Sequence, residues 1–491
     1  MHRPYGGGNT FNPGGEYDIA YAWRATAILV TLTLVVMYTE GMLVPSLPTI
    51  QRDMNISTAD ASWILSIYIL MGTLSSAIMG KLGDMYGKKR MLMITMLTYT
   101  IGALITGFST SYGMLLVGRA LQGVGMAMMP LAFALVREEF PPRMIPQVQG
   151  LISAMFGVGM AVSLPLGAYI SQTLGWQATY HTVYPFIILE DLMVYIYIRE
   201  SRIRNPQPID WVGLFLLSTS LASGLIAVTE APTYGWTDPL VMSLLILFVL
   251  GFGVFILYET TIGYPLVPIS LLSNRNVLAS NLGVALAGFA LFLMAQALTY
   301  LLESPKPLGY DLSILSTGIM MIPMALVQMI TAPIAGRVIT DIGAKKLAII
   351  GSSIAIVGLL LLTYTSFYGL SYVIMSMSVL AAGVSMVNVS VINILVFSVG
   401  RRNMGLATGL NSVFRNIGSA WGPAVAGSVM SMYQASVLLS LKPILWITLP
   451  AKFSYQLMFL ITSALYVMAI IVIVVLTREI FIRGEVKALE V

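Results

Sequence analysis

Cysteine is absent from the 491 residues, and histidine occurs only at His2 and His181. Without cysteine there is no disulfide framework, thiolate metal site or thiol nucleophile, and two histidines leave little for acid–base or metal chemistry. No metal and no cofactor are therefore expected. Charge is scarce too: Lys, Arg, Asp and Glu make up 10% of the chain, where a water-facing surface needs roughly 25–35%. With 57% hydrophobic residues and a mean hydropathy of +0.85, most of the outer surface must face lipid. The net charge of +5 does not point to nucleic acid, because the basic residues are scattered between apolar runs. Walker A, HExxH and GxSxG sequences and metal-type carboxylate clusters are missing as well, so neither ATP-driven chemistry nor an enzyme is expected.

What the chain has is apolar runs. Windows of about 20 residues, the length of a bilayer-crossing helix, occur fourteen times between about 25 and 477. The Gly- and Asn-rich start reads as a cytosolic tail (1–24) and not as a cleaved signal. With the N-terminus inside, 20 of the 26 Lys and Arg residues fall on the inner side and four on the outer, while Arg119 and Arg415 lie within spans. The apolar stretch 434–450, interrupted by Lys442 and two prolines, is expected to lie on the outer interface.

An internal repeat organises the runs. GKLGDMYGKKR, Gly80 to Arg90, has a counterpart GRVITDIGAKK, Gly336 to Lys346, displaced by 256 residues. The expected fold is an all-α integral membrane protein with 14 transmembrane helices. It comprises a six-helix bundle at 25–200, two inserted helices with linkers at 201–276, a pseudo-symmetric six-helix bundle at 277–477 and a C-terminal cytosolic tail at 478–491.

Ionisable groups inside a bilayer are costly and are functional candidates. Glu40 and Arg119 fall at similar depths, on the order of 10 Å below the outer surface. They can form a proton-sensitive pair or a static clamp. Gln122 and Met126 follow Arg119 on one helix face. The repeat places neutral Gln296 opposite Glu40, so ion coupling is expected mainly in the N-terminal half; Gln296 and Asn388 join the cavity candidates. Glu190 and Asp191 sit mid-span, one of them a candidate second acid, and Arg415 is a candidate gate. The 32 methionines suit either a cavity for varied apolar ligands or helix gap-filling.

The residues then resemble the major facilitator superfamily, in particular its fourteen-span drug:proton antiporter branch, along nearly the whole chain. The match is to the loop signature at Gly80, Asp84, Gly87, Lys88 and Arg90, to the fourth-span motif at Arg119, Gln122, Gly123 and Gly125, and to the thirteenth-span sequence Gly405 to Gly427. Two departures stand out: the first-span acid is Glu40, one place beyond the family position at Thr39, and the span-five motif keeps Pro165 but has Leu164 before it. The resemblance implies a proton-coupled transporter exporting amphipathic or cationic organic compounds by alternating access. It would sit multi-pass in the plasma membrane as a monomer with both termini cytoplasmic, its partners being a small-molecule substrate, protons and the lipid bilayer. The inner loops, with Gly336, Asp341 and Gly343 in the second copy, would latch the inner side. Alternatives are a symporter or uniporter for a lipid, siderophore or metabolite, and a non-transporting receptor of the same fold.

Overall fold

The computed structural model describes residues 18–141, 144–201, 208–267, 269–399, 404–441 and 444–478, so most of both expected tails lies outside the described residues. In the N-terminal part, α1 is Ile19–Gly41, α2 Leu47–Met54, α3 Thr58–Tyr86, α4 Lys88–Gly107, α5 Tyr112–Val124, α6 Met128–Glu139, α7 Ile145–Leu174 and α8 Trp176–Tyr197. Next come α9 Trp211–Tyr234 and α10 Pro239–Thr261. The C-terminal part holds α11 Arg275–Glu303, α12 Ile314–Ile342, α13 Ala344–Thr365, α14 Leu370–Val396, α15 Met404–Met432 and α16 Lys452–Leu476. Among the described residues, eleven helical stretches are long and apolar enough to cross a membrane. α7, α8 and α15 are equally long; α8 carries Glu190 and Asp191, and α15 carries Arg415, within their apolar runs.

Prolines set the breaks. Pro45 and Pro48 cannot continue the hydrogen-bond ladder of α1, so the chain passes through a tight 3-10 turn, Val44–Ser46, into α2. Pro130 lacks the N–H that would bond residue 126, and a second 3-10 turn, Gly125–Ala127, separates α5 from α6. The stretch expected to rest on the outer interface is a two-stranded antiparallel hairpin, β1 Gln434–Leu441 with β2 Ile444–Pro450. β-branched and aromatic residues such as Val437 and Trp446 favour strands, so the fold is helical with one β-hairpin.

The 256-residue repeat recurs in the element boundaries. The displacement carries α3 onto α12 at both ends and α4 onto the start of α13. Each of these pairs turns on a single glycine with positive φ, Gly87 at 109° and Gly343 at 88°, a conformation that costs glycine little. The packing repeats as well: α3 lies against α15, and α12, the counterpart of α3, lies against α7, the counterpart of α15. α9 packs on α10, α15 and α3, so the inserted pair occupies one of these two seams.

Candidate functional site

The end of the bundle with the Gly87 and Gly343 turns is here called the basic end, and the opposite one the distal end. Glu40 occupies the last turn of α1, just before the proline-driven break, and is half-buried. Its carboxylate lies within electrostatic reach of two guanidinium groups, Arg119 on α5 and Arg415 on α15. It makes no hydrogen bond or ion pair among the described residues. Arg415 is exposed.

Arg119 is 1% exposed and is held by neutral groups. Its Nε donates to the Ile64 carbonyl at 3.0 Å and Nη1 to Gln122 Oε1 at 3.2 Å, with Tyr180 Oη at 3.5 Å. The guanidinium carbon lies 4.2 Å from the Tyr68 ring centre, a geometry in which the electron-rich ring face attracts the cation. Nη2 has no partner. Gln122 Oε1 also accepts from Tyr180 and Thr106, both at 3.4 Å, and its Nε2 is unpartnered. Glu40 and Arg119 thus interact through space without touching, and Tyr68, Tyr180 and Thr106 complete a network that span-depth reasoning had no means of assembling.

The other expected site residues are distributed. Met126 lies in the 3-10 turn between α5 and α6, packed over Gly72 of α3. Gln296 is fully buried and donates to Ser62 Oγ at 2.7 Å, which places it in a contact between the two repeats. Asn388 is exposed on α14. Glu190 and Asp191 are buried on the face of α8 that meets α1 and α4.

At the basic end, Gly80 and Gly336 have open space where a Cβ would stand, and the side chain of Asp84 lies outside the described residues. Lys88 is buried and ion-paired with Glu138 of α6. Glu200 accepts the backbone N–H groups of Lys89 and Arg90, both at 3.0 Å, closing the N-terminus of α4 where the helix dipole favours a carboxylate. Lys89 Nζ donates to the Tyr195 carbonyl at the end of α8. Its repeat counterpart Lys345 donates to the Val474 and Thr477 carbonyls at the end of α16. Asp341 is exposed and has a partner of its own. Glu138 and Glu200 escaped sequence reasoning because their partners are 50 or more residues away; the unpaired N-terminus of α4 was the one local signal.

Hydrogen bonds between the repeats gather toward the distal end. Thr58 shares one with Ser431 at 2.7 Å, Ser66 donates to the Ala420 carbonyl at 3.0 Å and Tyr300 donates to Gln51 at 2.7 Å. Leu315 N donates to Gln172 at 2.9 Å across the α7–α12 seam. Glycines permit these approaches: a Cβ on Gly318 would stand 2.7 Å from the Leu164 carbonyl, and one on Gly427 would strike Ser62.

Paired bundles of apolar helices with a few charges buried at their centre define a multi-pass membrane transporter. The pattern of the Major Facilitator Superfamily matches residues 29–423, and the chain belongs to that family. It is 25% identical over 416 residues to the Multidrug resistance protein Stp of Mycobacterium tuberculosis, covering 84% of this chain and 77% of that one. It is 26% identical to the Tetracenomycin C resistance and export protein of Streptomyces glaucescens (78% and 71% covered) and 28% identical to the Puromycin resistance protein of Streptomyces alboniger (85% and 83%). These relatives are consistent with the drug:proton antiporter branch. In fold it is similar to an auto-inhibited peptide transporter of the POT family, with a TM-score of 0.67 and 13% identity over 93% of this chain and 98% of that one. The xylose transporter XylE of E. coli gives 0.60 and 14%, covering 94% and 98%.

Proposed function

We propose that the protein is a proton-coupled secondary transporter that exports amphipathic or cationic organic compounds by alternating access. The observation that carries this reading is Glu40, a carboxylate without a contact partner, within electrostatic reach of the guanidinium groups of both Arg119 in the N-terminal repeat and Arg415 in the C-terminal repeat. Adding a proton to Glu40 removes its attraction for both arginines at once, so its charge state biases how the two repeats sit against each other. The thirteen long helices among the described residues, with the broken α5–α6 pair, are read as fourteen membrane spans, with halves at 25–200 and 277–477 and the inserted pair at 201–276. The basic end is read as cytoplasmic in a plasma membrane, both termini lying on that side, and the protein acts as a monomer. The distal hydrogen bonds then close the outer side, and the described form faces inward.

Relatives named for puromycin and tetracenomycin C resistance support the substrate class. The test uses the full-length protein in liposomes with puromycin as probe. An inward proton gradient is expected to drive puromycin against its gradient, and Glu40→Gln is expected to abolish the coupled proton flux while puromycin binding persists. Proton movement in the same direction as puromycin, or undiminished coupling in Glu40→Gln, would overturn the proposal.

A further inference from the structure

The packed face of α8 is a costly place for two adjacent carboxyl groups. That face, Val183, Ile187, Glu190, Asp191 and Val194, meets α1 and α4, and Glu190 and Asp191 are 6% and 9% exposed. Successive helix positions point about 100° apart, so the two side chains reach different neighbours. Glu190 meets Thr31 of α1, and Asp191 accepts the Thr100 hydroxyl of α4 at 2.7 Å. The second oxygen of each, Glu190 Oε2 and Asp191 Oδ1, has no hydrogen-bond partner. Both carboxyls line a narrow cleft of about 10 Å³, room for about one water molecule, walled by Val35 and Val36 of α1, Met96 and Tyr99 of α4 and Met128 of α6. α1 contributes Thr31 as its facing polar group, α4 contributes Thr100 and Tyr99, and the sequence of α7, also packed on α8, contains no charged residue.

We propose that Glu190 and Asp191 form a second proton-binding site, separate from Glu40 and adjoining it through Tyr99. The inference rests on the reading of the protein as a proton-coupled transporter. A proton adds to one carboxylate oxygen and makes an uncharged carboxylic acid, and no other bond changes. This relieves the cost of a buried carboxylate without a counter-charge. A metal cation fits the cleft poorly, because hard cations take about six or more oxygen ligands and the walls are chiefly aliphatic and thioether. Tyr99 joins the two sites: it lines the cleft, lies beside Thr39, and is within electrostatic reach of Glu40, Arg119 and Tyr180.

Infrared difference spectra of the full-length protein in lipid, taken through an acid-to-alkaline titration, separate carboxylic acid from carboxylate bands. The double variant Glu190→Gln with Asp191→Asn is expected to lose one titrating carboxylic acid band that Glu40→Gln keeps. Retention of every titrating band in the double variant would overturn the proposal. If the double variant fails to fold, Glu190→Gln and Asp191→Asn serve singly: each is expected to remove or move that band, and an unchanged titration in both overturns the site. Replacing choline chloride with sodium chloride is expected to leave the band in place, and its displacement by sodium would overturn the proton assignment. Failure of the transport reading shows itself differently, as absence of puromycin-driven proton flux in the parent protein while the second band still titrates.

Discussion

Arg119 shows why identity, and not charge alone, matters at a buried cation. Its Nε, Nη1 and planar face are each used, on a carbonyl, an amide oxygen and the Tyr68 ring, and a lysine ammonium cannot satisfy all three directions. Arg119→Lys is expected to cost about 2 kcal/mol of stability, the scale of a hydrogen bond to a charged group, and to lower puromycin transport at least about tenfold. Thermal unfolding and vesicle flux check the two effects. At the start of α1, Asp18 accepts the Tyr21 N–H at 2.9 Å and ion-pairs with Arg199 at 2.8 Å. These contacts, the backbone bond first, hold its carboxyl below the usual 3.8. A depressed folded-state value contributes stability at pH above 3.8 that is lost as pH falls through the folded value. Amide protection at Tyr21 is therefore expected to fall in strong acid in the parent and to be low and flat with pH in Asp18→Ala. Glu40 and Arg119 were legible in the sequence because a charge within an apolar run is conspicuous. The nearness of Arg415 to Glu40 was not, because the two are 375 positions apart and only packing between repeats joins them.

Helix ends carry the devices of the next scale. A Cβ on Gly87 would stand 2.5 Å from the Glu200 carboxylate, and the φ of 109° disfavours any L side chain. Gly87→Ala is therefore expected to destabilise the α3–α4 turn by about 1–2 kcal/mol, and Glu200→Ala by about 1 kcal/mol through loss of the cap on α4. Thermal unfolding of each variant in lipid checks both, and an unchanged midpoint for Gly87→Ala would contradict the geometry. At the distal end, Gly427→Leu is expected to hold α15 away from Ser62 of α3 and leave that end open. Faster labelling of a Ser62→Cys probe by a water-soluble maleimide would report the opening; the chain has no cysteine of its own to compete. Most helices were legible because an apolar window of bilayer length marks each. The breaks after α1 and after α5, and the hairpin at 434–450, were not. Hydropathy alone does not distinguish a helix from a kinked helix or a strand.

Across the whole molecule, the repeat seen in two glycine-rich loops became a repeat of boundaries, of seams and of the Lys89 and Lys345 caps. The sequence exposed it because turns tolerate few residues, so the same glycines and lysines recur. It did not reveal that the inserted pair sits in the α3–α15 seam while the α7–α12 seam is left uncovered by it, since that is decided by which faces meet. Charge supplies the asymmetry between the repeats, with Glu40 and Arg119 in one and Gln296 and Met375 at the displaced positions in the other. The central claim is that the charge of Glu40 sets which end of the molecule is open. Spin labels at Thr58→Cys and Ser431→Cys read the closed distal contact directly, as a distance distribution recorded at mildly acid and mildly alkaline pH. The parent is expected to shift between short and long distances with pH, and Glu40→Gln to hold the acid distribution throughout. An undiminished pH response in Glu40→Gln would contradict the account.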